Sequence, residues 1–304
     1  MPGVPRLADP EIIHTGLMNF ALRQAWHRTP EGSDVFPVAL FRAMTDPRTG
    51  KPFIESFPNF GFVPAPTDDT GLPVGFSRVR SPDHDFVLTG INCAPCHSTQ
   101  IHFNNRILHV DGAPNMLDVE AFFRGTVSSL ENVLNETGAD HLKFIVRFIK
   151  YNWMENLRLD EAQNVTGRKS ALQNITFKNI EETVGFLRYR LASAKTIIAS
   201  FEKQTAAGPG RADSFGIIRN LLMTKDVVGA DNFQPMTAPV AMPHLFGFAS
   251  FTNLHWDGNT TTGTDRNYAQ AIALGASFDP ATLKSSVRSE EHTSELQSRL
   301  HLVC

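Results

Sequence analysis

The sequence predicts a mainly α-helical fold with long irregular loops and few short strands. Three observations carry that expectation. Apolar residues recur at helical spacing across residues 117–203, and residues 44–90 are rich in Pro, Gly and Asp. Period-two alternation is confined to one short segment after residue 100.

Taken in order, Asp9-Pro10 ahead of EIIHTGLMNFALRQAW reads as a capped helix, with Asp9 as N-cap and Pro10 in the first turn. Residues 44–90 read as irregular loop with room for one hairpin. The segment IHFNNRILHVDGAP alternates apolar and polar residues about a turn and reads as a β-hairpin ending at Asp111-Gly112. Three helical stripes follow. Phe122, Val127, Leu130 and Val133 suit the first; Leu142, Ile145, Phe148, Ile149 and Trp153 the second; Val184 to Phe201 the third. These stripes exceed what a minimal electron carrier needs, so 117–203 is read as a helical insertion. A Gly/Pro break at 206–210 precedes mostly loop over 229–263, then a short helix over Asp265–Ala276.

Composition narrows the function. The 304 residues are 41% hydrophobic and 19% charged, which suits a globular chain with a sizeable core. A formal net charge of -3 with scattered Lys and Arg excludes a basic nucleic-acid-binding face. No apolar run is long enough to span a membrane. Phe is used 23 times against 3 Tyr and 3 Trp, which fits either an ordinary core or an interior around a flat apolar ligand. Residues 288–298, RSEEHTSELQS, back-translate into what looks like a sequencing-library adapter, so 288–304 is expected to be an artefact and is set aside with Cys304.

Two cysteines remain, in Asn92-Cys93-Ala94-Pro95-Cys96-His97. The spacing C-x-x-C-H is the attachment signature of c-type haem. On one helical turn, positions i, i+3 and i+4 share a face. Both thiols can then bond the porphyrin while the His97 imidazole reaches the iron, and Pro95 is tolerated in a first turn. A structural zinc site needs four ligands, and no second Cys pair is present. A thioredoxin-like dithiol calls for a βαβ surround, whereas these flanks read as loop. The expected cofactor is therefore one covalent haem c held by Cys93, Cys96 and His97, with His97 as the metal ligand. The sixth ligand stays open among His84, His102, His109, His244, His255, a methionine or a vacant position. An open iron would bind peroxide or O₂, and a closed one would transfer electrons. The N-terminus lacks the segments of a secretory leader. Because this haem is attached after export, the expectation is a periplasmic or secreted protein whose N-terminus is incomplete or processed.

Three more segments extend the pattern: Gly210-Arg211-Ala212-Asp213-Ser214-Phe215-Gly216 with Arg219-Asn220, then Ala238–Leu245, then His255-Trp256-Asp257-Gly258-Asn259. With the haem motif and the Val110–Pro114 turn, residues 70–280 resemble the di-haem cytochrome c peroxidase superfamily, in its large rubber-oxygenase-like branch. The resemblance implies a cytochrome c-like haem domain over 1–287 that carries the insertion. It also implies a second haem domain, missing here because only one C-x-x-C-H is present. The implied function is a haem-dependent peroxidase or oxygenase using peroxide or O₂, with a small electron-donor protein or an organic substrate as partner. The alternative is an electron-transfer cytochrome domain without its own substrate. Arg211 and Asp213 are candidates for distal acid–base and charge-stabilising work, Phe215 for an apolar wall and Trp256 for electron relay. Asp257-Gly258 reads as a turn.

Overall fold

The helical pattern over 117–203 forms three long helices in the computed structural model, which describes residues 11–14, 20–65, 70–81, 84–163, 177–201, 205–223, 230–255, 257–279, 282 and 284–287. They are α3 (Val119–Asn135), α4 (Gly138–Ala162) and α5 (Phe177–Phe201). Asp118 caps α3 by accepting the Ala121 N–H at 2.9 Å. The stripe Phe122, Val127, Leu130 and Val133 is buried, as are Ile145 and Phe148 of α4, whereas Leu142 is exposed.

As a whole the fold is not mainly α. It is about 47% helical and 16% strand, a mixed α/β fold with four small sheets among the described residues. Most of the strands escaped the sequence because they are two or three residues long, too short for alternation to register. These are β2 (Phe36–Pro37), β3 (Val79–Arg80), β4 (Val87–Thr89), β7 (Arg211–Ala212), β8 (Val240–Ala241), β9 (Phe278–Asp279) and β10 (Lys284–Ser285). The pattern-bearing pair behaves as expected. Strands β5 (Ser98–Phe103) and β6 (Arg106–Asp111) form an antiparallel hairpin with Ser98 opposite Asp111. Its two-residue turn places Asn104 and Asn105 at positive φ, which asparagine tolerates.

The first helix also needs correction. Glu11–His14 is a strand, β1, lying parallel to β6, and α1 covers only Phe20–Arg28. The β-branched pair Ile12-Ile13 takes the open edge of the hairpin, where its backbone groups find partners. The expected cap at Asp9-Pro10 lies outside the described residues, as do Trp256 and the segment 288–304.

The phenylalanines fill their own core. Phe41 of α2 (Val38–Ala43), Phe53, Phe57 and Phe60 of a 3-10 helix, Phe76, and Phe122 of α3 pack ring on ring at 5.0–6.4 Å between centroids. That cluster runs without a break into α4 and α5, so the helices share one core with the N-terminal segments.

Candidate functional site

The C-x-x-C-H segment sits on a tight turn, not on a helix. The His97 N–H reaches the Ala94 carbonyl at 3.0 Å, and β5 starts at the next residue. The turn is pinned on both sides. Asn92 donates its side-chain N–H groups to the carbonyls of Trp26 and Thr29, and Asn115 donates to those of Pro95 and Gly61. The Asn92 N–H bonds the Gly75 carbonyl, and the Gly112 N–H bonds that of His97. Gly75 lies at φ +87, and a Cβ there would stand 1.9 Å from Pro95 Cδ, so only glycine lets the backbone approach the motif.

Within this frame the three motif side chains are buried, and neither cysteine is in a disulfide. His97 Nδ1 lies 2.8 Å from the Pro243 carbonyl, a pure acceptor, so Nδ1 carries the proton. The lone pair on Nε2 faces Arg266 Nη2 at 3.2 Å. Burial pushes the His97 pKa down to about 3, and the Arg266 guanidinium adds to the shift, so the ring is neutral at ordinary pH. Burial likewise raises the Cys96 thiol to about 12, and raises Cys93 well above the usual thiol value with help from Glu31. Glu31 stands against Cys93, with Oε1 3.0 Å from Sγ and 3.3 Å from the backbone nitrogen. Its own pKa is raised by burial. Arg266 Nη1 completes the group at 3.6 Å from Cys93 Sγ. Glu31 and Arg266 carry no sequence signal, since they reach the motif from 62 and 169 residues away.

His97, Cys96 and Arg266 line a cavity of about 390 Å³, a size suited to a small molecule or cofactor. The segments singled out in the sequence converge on it. Strands β7 and β8 pair, α6 (Ser214–Met223) follows β7, and Phe215, Val240–Leu245 and His255 all contribute wall. Helix α7 (Gly263–Ala273) brings Arg266 and is capped by Thr262, which accepts the Asp265 N–H at 3.0 Å.

Asp213 borders the cavity, but its carboxylate is engaged. Oδ1 accepts the Gly216 N–H at 2.8 Å and Oδ2 the Ala238 N–H at 3.1 Å, which makes it the N-cap of α6 and a tie to the next loop. Arg211 has an exposed side chain and is not part of the cavity wall. His255 is half-buried and lines the cavity, at φ +62. Its Nδ1 is 2.9 Å from Asn259 Oδ1, and its ring stands edge-on to Phe215 at 4.9 Å. Burial lowers its pKa. Asp257 and Gly258 form a turn, with the Gly258 N–H on the His255 carbonyl. Of the other histidines considered for the iron, His244 lines the cavity and His102 is exposed on β5. His84 packs on Phe86 and Phe186, and His109 is buried in a separate cluster.

The chain is 24% identical over 280 residues to uncharacterized protein y4iJ of Sinorhizobium fredii. The match takes in 84% of this chain and 43% of that protein, so the chain spans less than half the length of the relative. No family model matches the chain, and no solved structure does.

The donor set can be tested against the candidate ligands directly. A dithiol redox site lowers the pKa of its reactive thiol, and here both thiols are raised. A metal centre on the motif would gather ligand atoms around one point. Among the described residues, the one group that does so is His27, His109 and Asp111, and no motif residue belongs to it. A covalently held haem fits better: two buried thiols, an imidazole with Nδ1 tied down, and an apolar cavity beside it. Cys93 is not part of the cavity wall, and Arg266 holds Nε2, so a group bound at that nitrogen has to displace the guanidinium.

Proposed function

We propose that this chain is a c-type haem oxidoreductase of peroxidase or oxygenase type, acting on peroxide or O₂ in the cavity beside His97. The observation that carries the reading is the state of His97: neutral, with Nδ1–H given to the Pro243 carbonyl and Nε2 free of a proton in the wall of an apolar cavity. A carbonyl on the far nitrogen fixes the ring's orientation and makes the near nitrogen a better donor to iron. Cys93 and Cys96 would hold the haem covalently, and the haem would supply the redox chemistry.

The residues around it divide the remaining work. His255, neutral and held through Nδ1 by Asn259, is the proton acceptor in the cavity wall. Phe215 and Phe248 exclude water, and Asp213 holds the wall by capping α6. Arg211 has no contact with the cavity in this arrangement. Electrons come from a small donor protein or from an organic substrate, and a second haem would serve this cycle outside these residues. The reading places the protein in the periplasm or outside the cell, where such haem is attached. No described helix is long and apolar enough to cross a membrane.

A second reading has its own support. His244, His255 and Met242 line the same cavity as His97, so a further side chain that would ligate the haem is at hand, and a haem left with no open position would only transfer electrons. Optical spectroscopy of the haem-loaded protein separates the two. A high-spin ferric spectrum that shifts on adding peroxide is expected. A low-spin spectrum indifferent to peroxide would favour electron transfer, and His255→Ala restoring the response would name the ligand.

A further inference from the structure

A second cluster of chemistry-bearing side chains lies behind the haem-motif turn and takes no part in the reading above. His27, from the last turn of α1, meets His109 and Asp111 of β6, which lie two residues apart and so share one face of the strand. All three are buried, and their ligand atoms lie within 4.8 Å of one another. His27 Nε2 is 2.8 Å, and His109 Nε2 3.3 Å, from the same oxygen, Asp111 Oδ1. In a tetrahedral site with bonds near 2.0–2.1 Å, neighbouring ligand atoms stand roughly 3.3 Å apart.

The observation that points to a ligand is His109 itself. Its side chain is 0% exposed, yet neither ring nitrogen has a hydrogen-bond partner. The approach of Nε2 to Asp111 lacks the alignment of a hydrogen bond. Leaving such groups unsatisfied is costly, and native interiors rarely do so. A metal ion bound by Nε2 removes that cost at one of them. The surroundings also suit a metal. Ser98 Oγ donates to Asp111 Oδ1 at 2.8 Å and is itself held by Trp26 Nε1 at 2.9 Å, which fixes the orientation of the carboxylate. Arg23 stands 3.7 Å from the other oxygen, Oδ2, while Ser98 and the two imidazoles meet at Oδ1.

We propose that His27, His109 and Asp111 bind one divalent first-row transition-metal ion through two imidazole nitrogens and one carboxylate oxygen, at a site separate from the cavity beside His97. Two nitrogens and one oxygen suit zinc or iron(II) and leave a position open to water. His14, opposite His109 in the β1–β6 pairing with its ring 5.2 Å away, flanks the site as a further imidazole.

The test loads the wild-type chain and a Cys93→Ser/Cys96→Ser variant with Zn²⁺ or Co²⁺ and reads stoichiometry, affinity and X-ray absorption. One equivalent is expected in both proteins, with nitrogen and oxygen neighbours only. His109→Gln and Asp111→Asn should abolish it. Ser98→Ala should weaken it about 10- to 100-fold. His102→Ala, on the exposed part of the same hairpin, should leave it unchanged. Should His109→Gln fail to fold, the absorption spectrum of wild type decides alone, because a sulfur neighbour near 2.3 Å would assign the metal to the cysteines. Sulfur ligation, no stoichiometric binding by folded wild type, or binding that survives in folded His109→Gln would overturn the proposal. None of these outcomes depends on whether the motif carries haem.

Discussion

His97 ties the chemistry to the fold through a single proton. Its pKa is about 3 in the folded chain against an ordinary value of 6.5. Between those values the unfolded chain holds a proton that the folded chain refuses, so stability rises with pH across the window and falls as acid is added. The slope from this one residue is at most about 1.4 kcal/mol per pH unit. Denaturant unfolding of the haem-free protein from pH 7 to pH 4 should show it, and His97→Gln should flatten the curve by up to that amount. An unchanged slope in the variant would mean that His97 titrates normally. Asp213 and Arg211 separate in the same way. Asp213→Ala should cost about 0.5–2 kcal/mol through the lost cap of α6. Arg211→Ala should alter neither stability nor the peroxide response, since its side chain is exposed and off the cavity wall. Cys93, Cys96 and His97 were legible because their relation is local. Glu31 and Arg266 were not, because a contact across 62 to 169 residues leaves no periodicity to read.

At the scale of elements, what was legible depended on length. The three helices of 117–203 and the β5–β6 hairpin each carry enough residues for a stripe or an alternation to stand out. Two-residue strands and the segment 11–14 do not, and their pairing is decided by which backbone edge is open nearby. The join between helices and motif depends on charge as well as on phenylalanine. Glu155 of α4 is 0% exposed and meets Arg42 of α2, Arg78 beside β3 and Arg158 of its own helix at 2.9–3.3 Å. Arg80 adds contacts to Asn156 and Asp160. Glu155→Gln leaves that cluster of arginines without its carboxylate and should cost about 3–5 kcal/mol, read by chemical denaturation. Gly75→Ala forces a positive φ on alanine and drives Cβ into Pro95. It should destabilise by roughly 2–5 kcal/mol and, in haem-loaded preparations, lower the fraction of chains carrying the cofactor.

For the whole molecule, a large apolar core runs from α2 through the 3-10 helix to α3, α4 and α5, a smaller one gathers Trp26, Val63, Val74 and Leu245 around Cys93 and Ala94, and the cavity opens between α6, α7 and the β8 loop. The abundance of phenylalanine belongs mainly to that core, with Phe215, Phe248 and Phe251 left to the cavity. Composition alone could not divide the two, because both bury apolar rings. The central claim is that the core positions a turn to which haem is bonded. The most direct measurement is the intact mass of the protein after export alongside haem-attachment machinery, followed by peptide mapping. The prediction is one haem added per chain, retained after denaturation and mapped to Cys93 and Cys96. A folded, exported protein with both thiols unmodified would contradict it.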